Sequence, residues 1–325
     1  MTTWLSPGDP RRRTGGFIYN AHIIDARDDN VLALPGQWPS PSEADTRRCG
    51  TLLSTIPDGE VVILDGLALV GALPWLPALR ARTTVILLIH LPLSAERGTP
   101  PTEAARLHAL EAQAVALSHR VVATSAHAAA QIATLHGCEV RAIPPGCTPP
   151  PPAQVSGAGR LLCVGSIAPR KGHDILLAAL SQLTDLDWRL RCAGEVGAWA
   201  ETLRISERVT LLGPLDQAEM DVEYASADIF TLATWDETYG MALAEAAAAG
   251  LPIVSTTAGA VPQTVPPGAG LLVPPGDVDA LAGALRVVLT DPVCRSVMAR
   301  ASRAAPVRSW GEVVDDWDTL EEELR

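Results

Sequence analysis

Lysine is almost missing from this 325-residue chain: of 25 basic residues, Lys171 alone is a lysine. Arginine bias of that kind belongs to composition, so the scarcity matters less than where the survivor stands. Positive charge is also short overall, with 25 basic against 37 acidic groups and a net charge of -12. Residues 1–150 hold 12 basic and 13 acidic groups, which leaves 25 − 12 = 13 and 37 − 13 = 24 for residues 151–325. No basic stripe exists to displace counterions from phosphates, which argues against nucleic acid as a partner. The acidic C-terminal run from Asp315 to Glu323 would be repelled by an anionic membrane surface. The six cysteines form no CxxC pair, and Cys163 and Cys192 lie in apolar runs as ordinary core residues, which points to a reducing cytoplasm. No signal-like apolar segment opens the chain, and its longest apolar run, 61–76, is broken by Asp65, Gly66, Gly71 and Pro74. No GxGxxG follows a strand-like run, which weakens a dinucleotide dehydrogenase. The seven histidines show no HExxH or other ligand spacing, so no metal is indicated.

What is present is an alternation of short β-like runs with helical ones, the pattern of parallel α/β sheets. Strands are expected at 3–5, 31–34, 61–64, 84–90, 120–124 and 140–143, with helices at 44–56, 101–117 and 126–135. Candidate substrate loops are 7–16, 35–41 and 91–98, at the carboxyl ends of strands. The proline-rich stretch 144–152 reads as a semi-rigid linker. A second doubly wound unit follows, with strands at 160–164, 188–193, 209–212, 229–232, 253–255 and 270–273. Its helices are expected at 172–183, 217–226, 240–249, 277–290 and 292–304, and a last amphipathic helix covers 310–324 and could pack on either domain.

Lys171 stands on the strand-to-helix turn Gly165-Ser166-Ile167-Ala168-Pro169-Arg170-Lys171-Gly172, where an ammonium on a flexible stem can meet a phosphate. The alternative is a solvated lysine, though a cation at a helix start opposes the dipole. The stretch Trp235-Asp236-Glu237-Thr238-Tyr239-Gly240-Met241-Ala242-Leu243-Ala244-Glu245 places two carboxylates eight residues apart around a glycine-opened helix start, a ready anion site. Glu245 sits among alanines and needs hydroxyl or amide donors if buried, which a ribose diol supplies; a helix-favouring acid on an exposed face is the alternative. Glu237 reads equally as a helix-start acid. His90 ends its strand either as a satisfied structural histidine or as a catalytic one. Arg11-Arg12-Arg13 before Gly15 and Gly16 is a solvated run or a loop that meets a diphosphate. Trp38 is a ring-stacking candidate or simple packing, and Asp185-Leu186-Asp187 reads as a surface turn.

Residues 161–292 resemble the donor domain of retaining glycosyltransferases of family four, through 165–172, the E-x7-E pair Glu237 and Glu245, Gly250-Leu251-Pro252-Ile253-Val254, and Gly270-Leu271-Leu272-Val273-Pro274-Pro275-Gly276-Asp277. The resemblance implies a GT-B fold: two Rossmann-like doubly wound domains facing across a cleft, at 1–150 and 151–308, with helix 309–325 crossing back to the first. It implies a metal-independent and cofactor-free enzyme that moves a hexose-type sugar, with retention, from a GDP- or UDP-sugar; the cysteines point to a cytoplasmic enzyme, and the near-neutral first half and the short region between Asn20 and Val31 to a small soluble acceptor such as a specialised metabolite. Lys171, with Ser166 and Arg170, would meet the diphosphate; Glu245 would hold the ribose; and Glu237, with Thr238, Tyr239, Gly240 and Met241, the donor sugar. Gly15 and Gly16 would approach the donor, and His90, Arg13 and Trp38 the acceptor, with His90, Lys171 and Glu237 as the catalytic set. Two positions depart from the family pattern: Ser166 stands where a clamp arginine is usual, which Arg170 or the Arg11–Arg13 run would have to replace, and Gln263 stands where glutamate is frequent. The competing reading is a GT-B protein that binds a nucleotide sugar with lost or altered transfer. A pyridoxal-dependent phosphorylase or a nucleotide-sugar epimerase is more remote.

Overall fold

The computed structural model describes residues 1–196 and 207–324. Its contacts divide the chain into two compact units, Met1–Gly146 with Trp310–Arg325, and Cys147–Ser309. Each holds one six-stranded sheet with every pairing parallel.

In the first unit the strands are β1 (Thr2–Pro7), β2 (Asn30–Leu34), β3 (Val61–Asp65), β4 (Thr84–Ile89), β5 (Arg120–Ala123) and β6 (Val140–Ala142), in the order β2-β1-β3-β4-β5-β6. Apolar residues on both faces make these runs continuously hydrophobic, as in sheets covered on two sides. Leu5, Val62, Leu64, Leu87 and Ala123 point into one layer. Trp4, Ile63, Ile86, Leu88 and Val122 point into the other, which the final helix Trp310–Glu323 closes with Val313, Trp317 and Leu320. Trp317 lies 5.5 Å from the Trp4 ring and donates its indole N–H to the Tyr19 hydroxyl at 2.9 Å. That helix therefore belongs to the first unit.

The second unit holds β7 (Arg160–Val164), β8 (Arg189–Ala193), β9 (Val209–Gly213), β10 (Ile229–Leu232), β11 (Ile253–Thr256) and β12 (Gly270–Val273), in the order β12-β11-β10-β7-β8-β9. Its core runs from Leu161 and Leu162 through Phe230 and Leu232 to Leu281 and Leu285. Residues 144–152 carry no regular structure.

The structure adds one long helix to the sequence expectation, Gly15–Arg27, where a loop had been expected through residue 16. Its buried residues Phe17, Asn20, Ile23 and Ile24 have helical spacing. The signal is masked because the helix opens on two glycines, poor helix formers, and because Asn20 is polar at a core-facing position. Elsewhere the element types agree and the ends move by a few residues. The apolar run 61–76 proves to be β3 followed by short helical turns.

Candidate functional site

A parallel sheet offers a binding crevice where its strand order reverses, because the loops on either side of that point run in opposite directions. In the second unit the reversal falls between β7 and β10, since β8 and β9 build outward on one side and β11 and β12 on the other. The loop after β7 is 165–172, and the loop after β10 is 233–240, so the two motifs singled out in the sequence flank the same switch point.

These loops are tied together along their length. The Trp235 N–H donates to the Arg170 carbonyl at 2.8 Å, and Arg170 Nη1 donates to the Asp236 carbonyl at 2.9 Å. Gly172 allows the approach: with φ +64°, a Cβ there would lie 2.0 Å from the Ala233 carbonyl oxygen. Across this seam Lys171 Nζ donates to Glu237 Oε1 at 2.5 Å, and Arg170 Nη1 stands 3.8 Å from Glu237 Oε2. Glu237 is buried, and two cations make that burial tolerable.

Both loops lead into helices without a side-chain cap, His173–Ser181 after Gly172 and Met241–Ala248 after Gly240. Uncapped first-turn amides are ready donors for an anion. Ser166 is half-buried in the first loop, Thr238 and Tyr239 are half-buried in the second, and Met241 opens the second helix. Burial raises the Tyr239 phenol above its ordinary value.

Glu245 lies one turn into that helix and accepts a 2.7 Å hydrogen bond from the Tyr224 hydroxyl. Burial pushes its carboxyl up to about 7; the Tyr224 bond opposes this and Asp221 adds to it. At neutral pH this carboxylate is thus poised between its charged and neutral forms. Tyr224, from the helix Gln217–Ser226, was not anticipated from sequence. Nothing in the chain marks a tyrosine 21 residues upstream as the partner of Glu245.

The first unit repeats the geometry. Its order reverses between β1 and β3, and the bond that spans the reversal runs from Asn20, on the helix after β1, to Asp65, at the end of β3. Asp65 accepts from Asn20 Nδ2 at 2.7 Å and from the Leu67 N–H at 2.8 Å. The amide of Asn20 must turn its nitrogen to the carboxylate, so its oxygen faces His90 Nε2 at 2.9 Å. Nε2 is then the protonated nitrogen, and Nδ1 keeps its lone pair. Burial lowers the His90 pKa, against the pull of Asp65, so the ring is neutral at neutral pH. Asn20 and Asp65 were not singled out from sequence, because only the fold brings positions 20, 65 and 90 together.

Gly16 explains itself here, since a Cβ on it would sit 3.1 Å from His90 Cδ2. Gly16→Ala should therefore shift the imidazole while favouring the helix. The expected outcome is a roughly tenfold loss of turnover, on the scale by which small misplacements act, with a melting temperature no lower than wild type and unchanged nucleotide affinity. Gly15 is exposed at the first position of the same helix, and Arg11, Arg12 and Arg13 are exposed ahead of it. Arg12 lies over the Phe17 ring at 5.4 Å. Trp38 packs on the apolar layer of its unit and covers Gly71, where a Cβ would lie 2.5 Å from the indole.

Residues 158–291, which contain both loops and both carboxylates, match the family model described as glycosyl transferases group 1. That segment is similar to the group 1 glycosyltransferases. The chain is similar to the GDP-mannose-dependent monoacylated alpha-(1-6)-phosphatidylinositol monomannoside mannosyltransferase of Corynebacterium glutamicum, at 34% identity over 178 residues. That match covers 50% of this chain and 45% of the relative, so the chain spans about half of that protein's length. The D-inositol 3-phosphate glycosyltransferase of Kineococcus radiotolerans is 28% identical over 293 residues, 75% of this chain and 67% of its own. Among solved structures, the sucrose-phosphate synthase of Thermosynechococcus elongatus superposes with a TM-score of 0.83 at 20% identity, over 99% of this chain and 98% of that one. Anabaena HepE in complex with UDP and glucose superposes with a TM-score of 0.78 at 16% identity, over 98% and 99%. The fold is GT-B, with one Rossmann-like sheet in each unit. Among the described residues no helix is long and apolar enough to cross a membrane.

Proposed function

We propose that the chain is a retaining glycosyltransferase that moves a hexose-type sugar from a nucleoside diphosphate sugar to a small soluble acceptor, without a metal or other cofactor in the transfer step. The observation that carries the reading is the Lys171–Glu237 bond across the switch point, flanked by two uncapped helix starts.

In the resting site the ammonium and the carboxylate satisfy each other. When a diphosphate arrives, Lys171 turns to its oxygens with the first-turn amides of the two helices, and Glu237 is released to accept the hydroxyls of the donor sugar. Arg170 remains beside Glu237 and takes the place in this site that the family pattern gives to the arginine missing at Ser166. The barrier in such a transfer is set by departure of the negatively charged diphosphate, so fixed donors aimed at it lower the barrier most. Glu245 takes the ribose hydroxyls. The His90 Nδ1 lone pair, set by Asn20 and Asp65, accepts from a hydroxyl of the sugar or the acceptor. The departing phosphate itself takes the acceptor's proton, so no protein nucleophile is required.

The relatives' names point both ways for the base, with GDP-mannose for the mannosyltransferase and UDP for the HepE complex. Calorimetric titration with GDP and UDP, in buffer containing a chelator, is expected to show binding of one of the two, with GDP favoured. Product NMR is expected to show the anomeric configuration of the donor retained. Failure of both nucleotides to bind, or an inverted product, would overturn the reading. Binding with no transfer to any acceptor offered would favour the binding-protein alternative.

A further inference from the structure

Under the turn that carries Lys171 lies a second constellation that the transfer chemistry does not use. Cys163 and Cys192 are direct partners in the β7–β8 ladder, so their side chains leave the sheet on the same face. His173, first residue of the helix His173–Ser181, comes down on them, with Nε2 3.7 Å from Cys163 Sγ. The three donor atoms lie within 4.8 Å of one another, and all three residues are buried to 2% exposure or less.

We propose that Cys163, Cys192 and His173 form a site for one soft d10 cation, Cu+ or Zn2+, held inside the second unit. Two sulfurs and an imidazole are the donors such ions prefer, and harder oxygen-seeking cations would find nothing here to bind. An ion about 2.3 Å from sulfur and about 2.0 Å from nitrogen holds its donors roughly 3.5–4 Å apart. The Cys163–His173 pair is already at that separation, so closure asks only for a small inward rotation of the cysteine side chains. Burial, with the Lys171 ammonium adding to it, lowers the imidazole to about 4, so the ring is uncharged at neutral pH, with Nε2 facing the Cys163 thiol. The Cys163 thiol is raised by its hydrogen bond with Cys192 and by burial, and so keeps its proton until an ion displaces it. Binding breaks two S–H bonds, forms two sulfur–metal bonds and one nitrogen–metal bond, and releases two protons to solvent, with no change of oxidation state. Zn2+ leaves the cluster neutral. Cu+ leaves one negative charge, and it needs no fourth ligand.

The site stands whether or not the chain transfers sugar, and its test is independent of activity. Fully reduced protein would be titrated anaerobically with Cu+ against a chromophoric copper chelator and, in parallel, with Zn2+ against a zinc indicator. One equivalent of at least one ion should be retained. Cys163→Ala and Cys192→Ala should each weaken it by more than the roughly 100-fold that loss of an outer-shell partner can cost, and Cys294→Ala should leave it unchanged. X-ray absorption of the loaded wild-type protein should show two sulfur donors and a nitrogen. Retention of neither ion, undiminished binding in both alanine variants, or an absorption spectrum without sulfur donors would overturn the proposal. If a core variant fails to fold, the wild-type spectrum decides alone.

Discussion

Lys171→Ala is expected to cut sugar transfer by at least about a hundredfold, the scale seen when one preorganised electrostatic stabiliser is lost. The reason is position. Lys171 leaves the turn after β7 and bonds to Glu237 on the loop after β10, so its ammonium sits at the point where the strand order reverses. A second cation, Arg170, stays 3.8 Å from Glu237 in the variant, so the buried carboxylate keeps a partner and the protein should still fold. Loss should therefore appear mainly in kcat/KM, with a smaller change in melting temperature. Steady-state kinetics beside a thermal melt separates the two. Activity within about threefold of wild type would remove Lys171 from the role assigned to it.

Glu245 carries the second large effect, and pH exposes it. Its carboxyl is raised from an ordinary 4.5 to about 7 by burial, with Asp221 adding and Tyr224 opposing. Between those values the folded protein binds more protons at this position than the unfolded chain does, so the group's contribution to stability falls as pH rises from 4.5 through about 7. A change of that size corresponds to at most about 3 kcal/mol, and residual solvent access reduces it. Glu245→Gln should therefore melt about 2–5 °C higher than wild type at pH 8 and show little difference at pH 5.

The same substitution should cost at least about a hundredfold in transfer, because in the proposed role the carboxylate accepts from both ribose hydroxyls and a carboxamide cannot accept with its nitrogen. In the wild type, nucleotide affinity should rise as pH increases through about 7 and Glu245 ionises. Calorimetry at pH 6 and pH 8 checks this. Affinity that is flat across that interval, together with unchanged binding by the Gln variant, would place the ribose elsewhere. A more stable but inactive variant is the expected signature of a buried acid kept for binding.

The proposed donor side was the more legible part of this molecule. Glycines, a lysine and two glutamates at fixed spacing lie on single turns, so chain order alone brings Lys171 next to Gly172 and opens a helix at Gly240. Local chemistry also made most strands readable, because a sheet covered on both faces needs uninterrupted runs of apolar residues such as 84–89 and 229–232. The helix Gly15–Arg27 was hidden by the property that makes it useful. Gly16 leaves room for the His90 ring, and Asn20 is polar because it faces a carboxylate rather than apolar core.

By itself the sequence determined the α/β class and singled out the candidate donor motif, since each rests on residues close in the chain or on hydrophobic periodicity. Only the tertiary structure decided the partners. It brought Glu237 to Lys171 across 66 residues and Tyr224 beneath Glu245. It ran Asn20 and Asp65 to His90, so that the ring's protonated nitrogen is fixed, and it drew Cys163, His173 and Cys192 into one buried cluster. The physical reason is that parallel strands placed side by side come from distant stretches of chain. Which strand ends meet at a switch point is set by sheet order, and no local spacing encodes it.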